Sequence, residues 1–376
     1  DDSLYFGDPY IEYNKTFMDN YSKGDVIEQY TDEFGTWLTA FTPILNDKGQ
    51  AAGIIEVDMR FDDFIAEANI QLYRNLIISI LIFIITTFVL LRYVKVILVT
   101  EEDSKSKLEE LYKLIHEKNK EITDSINYAQ RIQRSLLASD KILNDNMADY
   151  FIFFKPKDIV SGDFYWASML NNNQFALVTA DSTGHGVPGA IMSMLNISCL
   201  NEAIKGQKLS DPKEILNYTR MQVIEHLSND GSVSGGKDGM DCSISSFDFK
   251  NKKLTYSAAN NPLWIARNNP GVGFELLEFV ADKMPVGKHE RDTVSFNQKT
   301  IELQKDDVVY TLTDGYADQF GGVAGKKFKY KQLKELLLSI AGKPMNEQKE
   351  SLLKRFEEWK GPHEQIDDVL LIGVKI

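Results

Sequence analysis

Residues 180–188 read Ala-Asp-Ser-Thr-Gly-His-Gly-Val-Pro and separate two different patterns of apolar residues. The apolar run at residues 175–178 is typical of a buried strand, whereas residues 189–203 have helical spacing. Asp181 is therefore expected at a strand end, in a strand-turn-helix corner. The glycines beside His185 allow a sharp turn and close approach of a ligand, and the first helical amides favour an anion. Alone, the stretch fits a metal or phosphate site and a tight turn with a capping Asp equally well.

Further acidic residues adjoin short apolar runs in the same half of the chain. They are Asp163 in Ser-Gly-Asp-Phe-Tyr-Trp, Asp314 in Thr-Leu-Thr-Asp-Gly-Tyr, and the pair Asp367-Asp368 before Val-Leu-Leu-Ile-Gly-Val. Each one alone is commonly a turn or cap residue. Together they offer hard oxygen donors without a matching set of His or Cys, which favours Mg²⁺ or Mn²⁺ over zinc.

Four motifs, in this order and at this spacing, resemble the SpoIIE/RsbU-type branch of the PPM metal-dependent serine/threonine phosphatases. They are Gly162-Asp163-Phe164-Tyr165, residues 180–188, Thr313-Asp314-Gly315 and Asp367-Asp368-Val369. Supporting stretches are Gly239-Met240-Asp241, residues 258–263 and residues 282–287. The resemblance covers residues 146–376 and implies an α+β fold, in which an antiparallel β-sandwich of two sheets is flanked by helices on both outer faces.

The resemblance also implies roles for individual residues. Asp181 would bridge two Mn²⁺ or Mg²⁺ ions, His185 would protonate the leaving oxygen, and Asp241 would serve a third ion. The sequence departs from the Asp-Gly-His-Gly pattern of the wider family, because Ser182 and Thr183 stand between Asp181 and Gly184. The predicted catalytic residues are Asp181 and His185, and the predicted metal ligands are Asp163, Asp181, Ser182 (through its carbonyl), Asp241, Asp314, Asp367 and Asp368.

The N-terminal segment, residues 1–71, carries a second, looser resemblance. Two strand-like runs at residues 37–58 surround the turn signal Asn-Asp-Lys-Gly, which predicts a β-hairpin. Five positions follow the order found in the closing strands of extracellular Cache (PAS-like) sensor domains, which bind small-molecule ligands outside the cell. They are Trp37, Pro43, Gly49, Gly53 and Asp58. The segment would be a partial sensor domain, and an ordinary surface hairpin is the alternative.

A transmembrane helix is predicted at residues 72–99. Residues 76–91 contain no charge, and Arg74, Arg92 and Lys95 can extend their charged ends to the headgroups. Basic residues cluster after the segment, so its C-terminal side is expected in the cytoplasm, with a single pass through the cell (inner) membrane. A buried core helix is the alternative.

A helical coiled-coil linker is predicted at residues 100–145. Apolar residues recur at every seventh position, with companions at Leu111 and Ile132. The seven-residue series is Leu108, Ile115, Ile122, Ala129 and Leu136. We expect a weak two-stranded coil that makes a homodimer, and packing of the same seam against the protein's own phosphatase domain is the alternative.

Composition narrows the classes of function. The net charge of −13 argues against a nucleic-acid partner, because phosphate backbones require a basic face. Cys199 and Cys242 are too few for a disulfide framework and are expected to be free thiols. The sequence begins with Asp1 rather than Met, so we expect a fragment or a processed form. A nucleotide enzyme is disfavoured because no Gly-rich P-loop with its Lys is present.

The sequence thus predicts a membrane-anchored sensor phosphatase. Its expected substrate is phosphoserine or phosphothreonine on a regulatory protein, of the anti-sigma-factor antagonist type that the resemblance implies. The alternative is a non-catalytic membrane receptor whose phosphatase-like domain only binds a partner.

Overall fold

The computed structural model describes residues 19–32, 34–228 and 238–376 of the 376-residue chain. Residues 1–18 and 33 of the predicted sensor segment lie outside the described residues. The chain divides into two compact units, residues 1–113 and 114–376.

The first unit contains a three-stranded antiparallel sheet in the order β1-β2-β3. The strands are β1 (Asp25–Asp32), β2 (Gly35–Leu45) and β3 (Ala51–Arg60). The predicted hairpin is present as β2 and β3, in which Trp37 pairs with Arg60. Its turn is closed by the Asn46 side chain, which accepts the backbone N–H groups of Lys48 and Gln50. Gly49 has a φ of 74°, which explains why the turn requires glycine there.

Helix α1 (Phe61–Leu136) is continuous over 76 residues, so the predicted membrane segment and linker form one helix. It is the one helix in the described part of the chain that is long and apolar enough to cross a membrane. Its most apolar 18-residue window is 0% buried by the chain itself, which counts against a buried core helix. The helix ends at Leu136, and residues 137–145 of the predicted linker lie in a turn and in the short helix α2.

The second unit alternates short strands and helices. In chain order its elements after α1 are α2 (Asp140–Asn146), β4 (Asp149–Lys155), β5 (Asp163–Met169), β6 (Phe175–Ser182), α3 (Gly186–Asn201) with a π-helical turn (Glu202–Gly206), α4 (Pro212–Ser228), β7 (Gly239–Asp248), β8 (Lys253–Ala259), β9 (Leu263–Asn269), β10 (Gly273–Phe279), β11 (Val286–Gly287), β12 (Lys299–Glu302), β13 (Val308–Leu312), α5 (Gly315–Asp318), β14 (Phe320–Gly321), β15 (Lys326–Lys327), α6 (Lys329–Ile340), α7 (Met345–Lys360) and β16 (Val369–Lys375).

Two antiparallel sheets form a sandwich in this unit. One sheet has the order β10-β9-β13-β16-β4, and the other has the order β12-β8-β7-β6-β5. Successive residues of β6 enter different cores: Leu177 packs between the sheets, and Val178 packs under α3 and α4. A third core lies under α6 and α7 on the outer face of the other sheet. The predicted α+β sandwich flanked by helices is confirmed.

A buried ion pair joins β9 to the residue before β13. Arg267 contacts both carboxylate oxygens of Asp307, at 3.1 and 2.7 Å, and the Asp307 side chain is only 1% exposed. We expect Arg267→Ala to lower the free energy of unfolding by about 3 kcal/mol, because it leaves a buried carboxylate without its cation. Hydrogen exchange of the β13 amides in the purified chain measures this loss. Lys375→Ala is the control, because its pair with Asp306 is exposed and contributes at most about 1 kcal/mol. Equal protection in both variants would contradict the assignment.

Candidate metal centre

Three aspartates form a row across adjacent strands of one sheet. Asp163 of β5 lies opposite Asp181 of β6, and Asp181 lies opposite Asp241 of β7. Directly paired residues on neighbouring antiparallel strands place their side chains on the same face, a few ångströms apart. Like charges in such positions destabilise a sheet, so this row requires a compensating cation or protons.

The other sheet contributes acidic residues at the ends of two neighbouring strands. Asp314 follows β13 and Asp367 precedes β16, and these strands are joined where Thr313 N–H donates to the Leu370 carbonyl at 2.9 Å. Gly315 allows this approach, because a Cβ there would collide with the carbonyl oxygen of Asp368. The hydroxyl of Thr313 donates to Asp163 at 2.7 Å and so connects the two sheets.

Asp368 has a different environment from Asp367. It is 2% exposed, and its two carboxylate oxygens accept the backbone N–H groups of Lys157 and Gly162, each at 2.7 Å. These bonds hold the loop of residues 156–162, which leads into Asp163. Asp367 uses one oxygen to accept the N–H of Asp368 at 2.9 Å, and it is half-buried. Of the predicted pair, Asp367 has the freer carboxylate, and the metal-binding role of Asp368 stays a prediction.

Burial and mutual repulsion raise the pKa of the clustered carboxyl groups. Burial and the neighbouring Asp181 raise the pKa of Asp163 well above its ordinary value, although its bond from Thr313 opposes the shift. Burial and Asp314 likewise raise the pKa of Asp181 well above the ordinary value. Burial and Asp367 raise the pKa of Asp314 to about 6. Burial also raises the pKa of Asp241 and Asp367.

The cluster fits a hard divalent cation by the chemistry of its donors. Its six carboxylates supply only oxygen, and none of them forms a salt bridge with a described Lys, Arg or His. Within the described ranges, no three His, Cys, Asp or Glu side chains already form a complete metal site.

The corner after β6 has the predicted strand-turn-helix form. Gly184 and Gly186 have φ angles of 89° and 61°, a region that favours glycine, and α3 begins at Gly186. Gly162 lies against this corner so closely that a Cβ there would collide with the Gly184 carbonyl oxygen and come 3.0 Å from the Ser182 carbonyl oxygen. The Ser182 hydroxyl is engaged elsewhere, because its oxygen accepts a hydrogen bond from the Asn196 side-chain amide at 3.0 Å. The predicted role of the Ser182 carbonyl is untested by these contacts.

His185 lies at the exposed edge of the cluster, where it contacts two residues that sequence analysis did not single out. Its Nε2 lies 3.2 Å from the Lys157 ammonium, and its Nδ1 lies 3.3 Å from the Asp158 carboxylate. The Lys157 ammonium, and the imidazole of His185 when it is protonated, lower the pKa of Asp367 against the effect of burial. The only sequence signal for these residues is the charged Lys-Asp pair six and five positions before Asp163.

Comparison with known proteins agrees with this geometry. The sequence matches the family "Stage II sporulation protein E (SpoIIE)" over residues 171–376, which is more than half of the chain. It is 23% identical over 251 residues to phosphoserine phosphatase RsbP of Bacillus subtilis (strain 168), with 67% of this chain and 57% of that protein covered. The chain thus spans little more than half the length of this relative.

A solved structure is also similar to this chain. The SiaA-PP2C domain of Pseudomonas aeruginosa is 28% identical and superimposes with a TM-score of 0.61, covering 69% of this chain and 98% of that domain. The sandwich is therefore similar to a PP2C domain, and the chain belongs to the SpoIIE family.

Proposed function

We propose that this protein is a membrane-anchored phosphatase that hydrolyses phosphoserine or phosphothreonine on a regulatory protein. The observation that carries the proposal is the convergence of carboxylates from both sheets without a described cationic partner. Asp163, Asp181 and Asp241 come from one sheet, and Asp314 and Asp367 come from the other.

The carboxylates would hold two Mn²⁺ or Mg²⁺ ions, with Asp181 central to both and Asp241 available to a third. When bound, such ions neutralise the oxygens of a phosphomonoester and make a water molecule nucleophilic near neutral pH. Asp181 is suited to the central position because it is flanked by Asp163 and Asp241 in the row and repelled by Asp314 and Asp367 from the other sheet. Thr313 and Asn260 orient the outer carboxylates, Asp163 and Asp241, through bonds of 2.7 and 2.8 Å.

The substrate class is supported by the relative RsbP, whose name is phosphoserine phosphatase. The SpoIIE/RsbU resemblance favours a phosphorylated anti-sigma-factor antagonist as the partner. A nucleic-acid partner is disfavoured by the net charge of −13.

The N-terminal half supports placement in a membrane. Helix α1 is long and apolar enough to span it once, with the phosphatase unit on the cytoplasmic side and the Cache-like hairpin outside, where it would bind a small-molecule ligand. The coiled-coil seam supports a homodimer, since Ile115 and Ile122 are more than half exposed within the single chain. Large apolar residues exposed at seven-residue spacing favour pairing with a second helix.

The alternative is a receptor that binds a partner without catalysis. A binding module would gain nothing from a row of mutually repelling carboxylates, so the acidic cluster favours the enzyme.

Replacing the central carboxylate tests the enzymatic proposal. We expect Asp181→Asn to lower the Mn²⁺-dependent release of phosphate from a phosphoserine peptide by about a hundredfold or more, because metal ions supply several kcal/mol of transition-state stabilisation. Asp248→Asn, at the far end of β7, is the matched control and should retain its rate. Full activity of Asp181→Asn, or no activity in the metal-loaded parent protein, would favour the receptor.

The stability of the metal-free protein should depend on pH through Asp314. The folded pKa of about 6 lies above the ordinary 3.8, so the folded state holds this proton more tightly than the unfolded chain. Its contribution to stability is therefore present at low pH and is lost as pH rises from about 4 to about 6. Thermal unfolding of the metal-free protein should show a lower midpoint at pH 7 than at pH 5. Addition of Mn²⁺ at pH 7 should raise the midpoint again, and a midpoint that increases from pH 5 to pH 7 without metal would contradict this reading.

The linker proposal predicts an effect of charge in the seam. We expect Ile115→Glu with Ile122→Glu to weaken self-association of the full chain by about tenfold or more, because a coiled-coil core disfavours buried charge. Sedimentation measures the association, and the phosphatase rate should change with it. His116→Glu with Thr123→Glu adds two glutamates beside the seam and serves as control. An unchanged phosphatase rate in a variant that has become monomeric would show that the linker does not regulate the phosphatase.

A further inference from the structure

Lys157 lies at the edge of the carboxylate cluster, and its backbone is anchored there. The backbone N–H of Lys157 donates to Asp368 at 2.7 Å, which anchors its main chain beside the site. Its ammonium lies 3.2 Å from His185 and acts on Asp367. In the described part of the chain, Lys157 forms no salt bridge. Lys327, which acts on Asp314, is by contrast paired with Asp318 at 2.7 Å.

The contact between Lys157 and His185 assigns hydrogen-bonding roles to the two ring nitrogens. An ammonium only donates hydrogen bonds, so Nε2 of His185 must accept. The ring proton then resides on Nδ1, which donates to the Asp158 carboxylate at 3.3 Å. Asp158 and His185 thus form a chain that orients the lysine, and in this arrangement His185 has no proton on Nε2 to deliver.

A phosphomonoester dianion that approaches the carboxylate cluster is attracted by a cation at the edge of the cluster. With two divalent cations bound, the six ionised carboxylates keep an excess negative charge, and this excess repels a dianion that enters the site before any third ion binds. A lysine is an effective point charge for phosphate oxygens, and one without a carboxylate partner keeps its full attraction.

We propose that Lys157, oriented by His185 and Asp158, binds the phosphoryl oxygens of the substrate. His185 is then a positioning residue for the lysine and does not protonate the leaving oxygen. This inference rests on the proposed phosphatase function, and the ligand class is a phosphomonoester dianion or inorganic phosphate.

The test compares Lys157→Met and Lys157→Arg with the parent chain in detergent, at saturating Mn²⁺. We expect Lys157→Met to raise KM for a phosphoserine peptide and the inhibition constant of inorganic phosphate by about tenfold or more, with a smaller change in kcat. The Mn²⁺ concentration for half-maximal activity should stay the same, and Lys157→Arg should recover most of the affinity. Lys375→Ala, which removes a lysine from the far end of β16, is the control.

His185→Gln separates the two roles of the histidine. A positioning role predicts a rise in KM that is the same for the phosphoserine peptide and for p-nitrophenyl phosphate. A proton donor predicts a fall in kcat for the peptide that spares p-nitrophenyl phosphate, whose leaving group needs no proton, and that result would overturn our assignment.

Calorimetric binding of inorganic phosphate to the metal-loaded protein distinguishes this inference from the proposed function. Lys157-dependent phosphate binding without phosphatase activity would keep the inference and reject the function. Equal phosphate affinity and KM in the parent chain and Lys157→Met would overturn the inference while an active parent keeps the function. Absence of both binding and activity would reject both.

Discussion

The carboxylate of Asp368 is the contact on which the arrangement of the site depends. It lies at the start of β16 in one sheet and accepts two backbone N–H groups from the loop that leads into β5 of the other sheet. Charge-assisted bonds of this kind contribute about 1.5–3 kcal/mol each, and both amides would lack a partner without them. The position of Asp163 follows from this loop, as does that of Lys157.

The same loop is held from its other side by the end of helix α1. Gln130 donates to the Ile159 carbonyl, and Gln133 exchanges two hydrogen bonds with the backbone of Ser161. Gln133 is the buried residue of α1, and it also donates to Ser193 of α3 at 2.8 Å. A shift of α1 along its axis must therefore break these bonds or move the loop, and with it the residues that Asp368 holds.

The family resemblance predicted the fold, and local sequence patterns indicated the strands and most of the acidic residues. Apolar strands buried on both faces, such as β6, are visible as runs, and each predicted carboxylate adjoins such a run. Local patterns could not separate the roles of Asp367 and Asp368. The two residues differ in their hydrogen-bond partners, and a partner of Asp368, Lys157, lies some 200 positions away in the sequence. Gln133 was missed for the same reason, since its partners Ser161 and Ser193 lie 28 and 60 positions away. Helix α1 ends at Leu136, before the predicted end of the linker at residue 145.

The two-sheet origin of the carboxylates links the geometry of the sandwich to its affinity for cations. Asp181 belongs to β6, whereas Asp314 and Asp367 belong to the ends of β13 and β16, and burial holds all three near one another against their repulsion. Any change that separates the sheets at this edge relieves the repulsion and disperses the oxygen donors. By thermodynamic linkage, a cation that these oxygens bind stabilises the arrangement of the sheets that holds them near one another. The loop of residues 156–162, which Asp368 and Gln133 hold, lies at that edge. The hydrogen bonds that position this loop therefore also position the carboxylates.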